Sequence, residues 1–437
     1  MPLMPAGRRA VLAAGAAVLV AGALGGEEWH DRRHTAGGGT SGTADPATVR
    51  AVQAVLDRRA AAVLARDQAA LAATVLPTAQ ALRDSGAAML GNLAQVPVGA
   101  WTYRLQALDA YPLPPVIGAE GAARLATRVE LSYRLSGFDS EPVTATQYLT
   151  FTRSGSGGGT GSGGGWLLSS DSDHVGGDVQ LWDLGPVTVV QGRSSLVLGL
   201  RDQGTLQQLA DEADRAVPAV SAVWGTGWGQ RTVLLAPLGL DQFGRLLGAD
   251  PSGYTAIAAV TTGELGAAEA GRTERITVNP QVWDTLNALG RRVVTTHETT
   301  HVATRAITEQ WTPRWLSEGA ANWTGYLGTG RTPQQIAPEL LADLRAGRIP
   351  ARLPDDASFD GSAADLPQAY EQAWFACRSI VARHGQKALV ALYRAVAAAG
   401  GSGGAAAALD TALRRSTGVG TSAFTAQWVA DLRYAAR

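Results

Sequence analysis

Residues 291–326 read RRVVTTHETTHVATRAITEQWTPRWLSEGAANWTGY. Within them His297, Glu298 and His301 form H-E-x-x-H, and Glu318 follows seventeen residues after His301 in the setting W-L-S-E-G-A-A. On a helix the four-residue spacing puts both imidazoles on one face, a turn apart, where they can share one Zn²⁺. Glu298 falls one step round, beside the position a catalytic site leaves open, and can take a proton from water there. With six histidines in 437 residues, an accidental pair at this spacing with Glu directly after the first is rare. The competing reading is a buried Thr-rich helix whose histidines bond only to neighbours, and it leaves the second acid unexplained.

Outward from the motif, a helix is predicted from Leu289 or Arg291 to Ile307. Five threonines within it lose side-chain freedom in a helix, so burial of Val293, Val294, Val302, Ala303, Ala306 and Ile307 must hold it. Thr308–Pro313 breaks it, and Arg314-Trp315 starts a second helix that brings Glu318 back under the histidines. Two His and one Glu with a fourth position open describe a catalytic site rather than a structural one. Glu309 and Asp284 are weaker candidates for the third ligand, and a bland role for Glu318 is to stabilise a helix N-terminus. Trp311, Trp315 and Trp323 are expected to pack the two motif helices together. His384, before Gly385, reads as a helix C-cap residue, and the helices beyond Gln386 show only core spacing.

Upstream, Leu196–Leu198, Thr232–Leu235, Tyr254–Val260 and Glu274–Val278 read as strands and Thr205–Val223 as a helix, with Asn279-Pro280 capping a short helix through Leu289. Further upstream, Asp45-Pro46 reads as an N-cap with Pro at the first helical position. Helical composition then runs to Leu93, broken at Pro77. From Trp101 the period becomes two, as in Trp101, Tyr103 and Leu105 or Val129, Leu131, Tyr133 and Leu135. Ser154–Gly165 is a Gly/Ser hairpin loop, because Trp166-Leu167-Leu168 resumes the strand pattern. Asp171, Asp173, His174 and Asp178 are expected to form a solvated turn. The fold class is α+β: 1–26 a signal peptide or signal anchor, 27–44 a flexible linker, 45–192 an α+β cone, and 193–437 the domain carrying the metal motif.

Composition narrows the partners. A net charge of −1 with 17% charged residues excludes a broad electrostatic partner such as nucleic acid. Lys387 is the only lysine and Cys377 the only cysteine, so no internal disulfide and no cysteine-based zinc site can form. Arg8-Arg9 before the apolar run Ala10–Leu24, with Ala21-Gly22-Ala23 as a cleavage site, reads as an export signal. Retained, that segment is a membrane tether.

The element order of Asp45–Val190 resembles the NTF2-like fold. H-E-T-T-H followed by W-L-S-E-G-A-A is similar to the gluzincin metallopeptidases. T-H-E-x-T-H-V-A-T-R-A with P-x-W-L-S-E-G looks like the exported peptidase MA-like proteins of actinobacteria, over about Ser194–Gln427. The resemblance implies that His297, His301 and Glu318 bind zinc, that Glu298 is the general base, and that the substrate is a peptide or protein. It implies a tyrosine facing the metal from the helix opened by Ala369-Tyr370-Glu371, so Tyr370 is the candidate oxyanion donor. In this layout an edge strand can pair with the substrate backbone, and Ile276–Val278 is the stretch expected to do so. No amine-gripping segment of the aminopeptidase branch precedes the motif; Thr261-Thr262-Gly263-Glu264 is the nearest. The other readings are an exported binding or scaffold protein that works through its N-terminal cone, and a lytic enzyme acting on cell-wall peptide.

Overall fold

The computed structural model describes residues 45–115, 123–154, 165–262, 273–361, 363–400 and 404–436. The expected signal and linker lie outside these, as does most of the Gly/Ser loop. No helix among the described residues is long and apolar enough to cross a membrane. The architecture is mixed α and β with two sheets.

Asp45 accepts hydrogen bonds from the amides of Ala47 and Thr48 and, with Pro46 behind it, starts helix α1, Pro46–Ala65. Helices α2, Gln68–Ala72, and α3, Gln80–Asn92, follow. Strands β1, Val98–Leu108, β2, Arg124–Leu135, β3, Val143–Arg153, and β4, Trp166–Ser170, then form an antiparallel meander in chain order. Trp101 pairs with Tyr133 and Leu131 with Ala145, so the period-two apolar residues share one face and bury Val52, Val55 and Leu56 of α1. Trp182 closes this core against Trp101 and Tyr133, at ring centroid distances of 5.6 and 5.0 Å.

The turn after β4 differs from the expected solvated one. Asp173 accepts from Arg124 at 2.9 Å and from Thr150 at 2.7 Å, and Asp178 accepts from the Thr146 amide at 2.7 Å. His174 stacks on Tyr111 and meets Tyr148 edge-on; only Asp171 of the four is exposed. Aromatic and arginine partners from neighbouring strands, invisible to a local reading, order the segment.

The second sheet contains β5, Thr188–Gln191, β6, Ser195–Gly199, β7, Thr232–Ala236, β8, Ala259–Thr262, and β9, Arg275–Val278, in the order β5-β6-β7-β9-β8. β6, β7 and β9 are parallel, and both edge strands run antiparallel to their neighbours. Helix α4, Gln203–Trp224, crosses over between β6 and β7, and α5, Leu240–Leu247, follows β7. Ile276–Val278 is therefore interior, flanked by β7 and β8, and the edge expected there belongs to Ala259–Thr262. The strand predicted over Tyr254–Val260 begins only at Ala259. Pro251–Tyr254 is a 3₁₀ turn capped by Asp250, and the Asn279 side chain holds the carbonyls of Tyr254 and Ile257 at 2.9 and 2.8 Å.

The remainder is helical. After the short α6, Pro280–Trp283, come α7, Ala288–Thr304, with a 3₁₀ extension over Arg305–Ile307, and α8, Arg314–Tyr326. Then follow α9, Pro333–Ile336, α10, Pro338–Arg345, α11, Leu366–His384, α12, Gln386–Ala398, α13, Ala405–Thr417, and α14, Thr421–Ala435. Val294 of α7 packs among Ile276 and Val278, so the motif helix lies against the sheet. α8 joins the core of the C-terminal helices.

Candidate metal centre

Several threonines in and just after α7 bond back along the chain, Thr295 to the Arg291 carbonyl at 2.9 Å among them, whereas the buried Thr299 hydroxyl has no partner. Thr300, Thr304 and Thr308 donate to the carbonyls of Thr296, Thr300 and Thr304 at 2.8, 2.9 and 3.0 Å. Such back-bonding satisfies hydroxyls that burial would otherwise strand. The row ends at Tyr393 of α12, whose hydroxyl lies 2.8 Å from Thr308 and 3.3 Å from Ser317. Asn287 caps the helix by accepting from the Gly290 amide.

The two imidazoles converge, with their Nε2 atoms 3.0 Å apart. Glu318 Oε2 lies 3.3 Å from His297 Nε2 and 3.6 Å from His301 Nε2. All three side chains are at most 3% exposed, and they are the one metal-capable group of this kind among the described residues. Ligands at about 2.0–2.1 Å from a tetrahedral zinc sit roughly 3.3 Å from one another. The donor set therefore fits zinc, with one position left over. Burial alone would raise the Glu318 carboxyl, but His301 and His297 outweigh it and hold the group well below the usual carboxylate range.

Close helix contacts place Glu318. A Cβ at Gly319 would lie 2.3 Å from the Ala373 carbonyl oxygen of α11, and one at Gly325 would lie 2.9 Å from the Val293 carbonyl oxygen of α7. The missing side chains let α8 touch both neighbours, with Glu318 facing α7 between them. Asn322, one turn after Glu318, meets His297 Nδ1 at 2.9 Å through its side-chain oxygen. That contact makes Nδ1 the protonated nitrogen and leaves the Nε2 lone pair for a metal.

Glu298 is fully buried. Its Oε2 accepts from the Thr261 hydroxyl on β8 at 2.5 Å, and its Oε1 has no hydrogen-bond partner. Burial pushes the carboxyl up to about 7, against the opposing pull of His297 and the Thr261 hydroxyl. A carboxylate titrating there suits proton transfer near neutral pH.

The alternatives for the third ligand fall elsewhere. Asp284 pairs with Arg201 at 2.8–2.9 Å, and Glu309 is outside the metal-capable group. Tyr370 is buried in the C-terminal core, edge-on to Phe359 at 5.3 Å. His384 ends α11, with Gly385 as the cap residue. Trp311 donates to the Val396 carbonyl of α12, and Trp315 stacks on Phe424 of α14. These two tryptophans tie the motif unit to the C-terminal helices, and Trp315 and Trp323 share a core cluster with Ala303 of α7. Asn322 and Arg305 were given no role of their own in the sequence, and Thr261 was read only within the stretch nearest to an amine-gripping segment; of the three, Asn322 carried a signal for this site, its four-residue spacing from Glu318.

No protein-family model and no curated protein matches the chain. Among solved structures, it is similar to the crystal structure of a two-domain M1 zinc metallopeptidase mutant bound to L-arginine. The identity is 13%, the TM-score 0.34, and the match covers 76% of this chain and 93% of that one. At that score the likeness lends nothing to the functional reading, which rests on the geometry of the site.

Proposed function

We propose that the protein is an exported zinc metallopeptidase that hydrolyses peptide bonds, with His297, His301 and Glu318 as ligands and Glu298 as general base. One observation carries the reading. Three buried donors converge at 3.0–3.6 Å beside a buried carboxylate whose Oε1 is unpartnered.

A zinc ion bound there supplies Lewis acidity toward the scissile carbonyl. Asn322 keeps His297 in the ligating tautomer. Thr261 holds one oxygen of Glu298 and leaves the other to take a proton from the attacking water and pass it to the leaving amine. Tyr370 is the proposed oxyanion donor. In support, it lies one turn before Ala373, whose carbonyl abuts Gly319, the residue after Glu318. The outer strand β8, which carries Thr261, is the strand proposed to pair with an extended substrate. Export rests on the Arg8-Arg9 and Ala10–Leu24 segment, and helices followed by a meander support the NTF2-like reading of the first unit.

The test is metal analysis with peptide digestion. Purified protein is expected to hold one zinc per chain, Glu298→Gln to keep the metal and lose hydrolysis, and His301→Ala to lose the metal. A wild type that takes up no zinc sinks the reading.

A further inference from the structure

Arg305 follows His301 by four residues, where α7 tightens into its 3₁₀ extension, so it leaves the helix beside the metal-binding face. It is 3% exposed. Its Nη2 lies 3.5 Å from the Thr261 carbonyl, and its Nε lies 4.0 Å from Glu274 Oε1, beyond hydrogen-bond range. Neither Nε nor Nη1 has a hydrogen-bond partner. Arg275 shows what a structural buried arginine looks like in this fold, with Nη1 and Nη2 donating to the two Asp139 oxygens at 2.8 and 2.7 Å. Leaving buried guanidinium donors open is costly unless something fills them.

The position says what that something is. Thr261 gives its hydroxyl to Glu298 and its carbonyl to Arg305, so the guanidinium and the general base flank one residue of the edge strand. An always-charged group with open N–H donors complements an anion, and carboxylate is the anion a peptide carries. We propose that Arg305 is a specificity-determining residue that binds a carboxylate of the peptide substrate through its open N–H donors. The inference rests on the peptidase reading. The carboxylate is either the terminal one, which makes the enzyme cut at a fixed distance from the C-terminus, or an Asp or Glu side chain.

The probes are three pentapeptide pools: one free of Asp and Glu with free C-termini, the same pool amidated, and an amidated pool with one fixed Glu. Binding to the zinc-loaded Glu298→Gln full chain is measured by equilibrium dialysis with mass spectrometry. One acidic pool is expected to bind about ten- to a hundredfold tighter than the neutral amides, and which one identifies the source of the carboxylate. Adding Arg305→Met should abolish the preference, and Arg305→Lys should keep part of it. Equal binding of all three pools, or no binding of either acidic pool, overturns the proposal, and this comparison stands even if the Arg305 variants do not fold. Digestion of the same pools by wild type tests the peptidase reading separately: carboxylate preference without cleavage sinks that reading alone, and cleavage without preference sinks the role of Arg305 alone.

Discussion

Asn322 decides which nitrogen of His297 is offered to a metal, because its side-chain oxygen holds Nδ1 at 2.9 Å. Outer partners of this kind contribute about 10–100-fold in metal affinity. Asn322→Ala is therefore expected to weaken zinc binding by that factor in competition with a chromophoric chelator; unchanged affinity would show that the contact is incidental. Thr261→Val separates binding from chemistry, since it removes the donor to Glu298 while leaving all three ligands in place. We expect unchanged zinc content and kcat lowered at least tenfold, as a charged hydrogen bond is worth about 1.5–3 kcal/mol. His297, His301 and Glu318 were legible in the sequence as a metal-capable group, because metal chemistry fixes ligand type and spacing along two helices. Thr261 and Arg305 were not, because they reach the site from a strand and a helix end whose placement depends on the whole fold.

At the scale of elements, contacts that only a small residue permits hold α8 in place. A methyl at Gly319 would meet the Ala373 carbonyl oxygen at 2.3 Å and Cys377 Sγ at 2.8 Å, and backbone cannot give way as a side chain can. Gly319→Ala should cost about 1–3 kcal/mol in denaturant unfolding and, by shifting Glu318, lower zinc affinity as well. A variant of wild-type stability and affinity would refute the tight crossing. A second element contact is pH-dependent. Glu371 of α11 accepts from the Leu340 amide at 2.5 Å at the start of α10, and burial, with the neighbouring Glu339 carboxyl, pushes it up to about 10. The folded state thus holds a proton that the unfolded chain, titrating near 4.5, gives up. Its contribution is complete below about pH 4.5 and is lost as pH rises toward about 10. The Tm of wild type should accordingly fall from pH 6 to pH 9 more than that of Glu371→Gln; parallel curves would contradict this. Helix and strand positions were largely readable from periodicity, whereas sheet order was not. β9 follows β8 in the chain yet lies inside it, since the parallel partner β7 is earlier in sequence, and no local pattern records that pairing.

At the scale of the molecule, the side-chain alternation of the second sheet joins the two units. Leu196, Leu198 and Val233 face the core of the first unit, while Val197, Leu234 and Ala236 face α4. The sheet that carries the candidate site therefore has the N-terminal unit as its second layer. Among the described residues, one ion pair crosses the junction: Asp139, in the turn between β2 and β3, receives both terminal nitrogens of Arg275 from β9, with side chains 1% and 7% exposed. Removing one partner of such a pair leaves a buried charge uncompensated and costs about 3–5 kcal/mol, whereas replacing both with apolar residues can be nearly neutral. Asp139→Ala should thus lose stability on that order in urea, and Asp139→Leu with Arg275→Met should recover most of it. Because the second sheet contributes side chains to both cores, the wild type should unfold in one transition, with tryptophan fluorescence and circular dichroism coincident. Two separated transitions, or an Asp139→Ala variant as stable as wild type, would mean that the N-terminal unit is tethered to the sheet that carries the candidate site without supporting it.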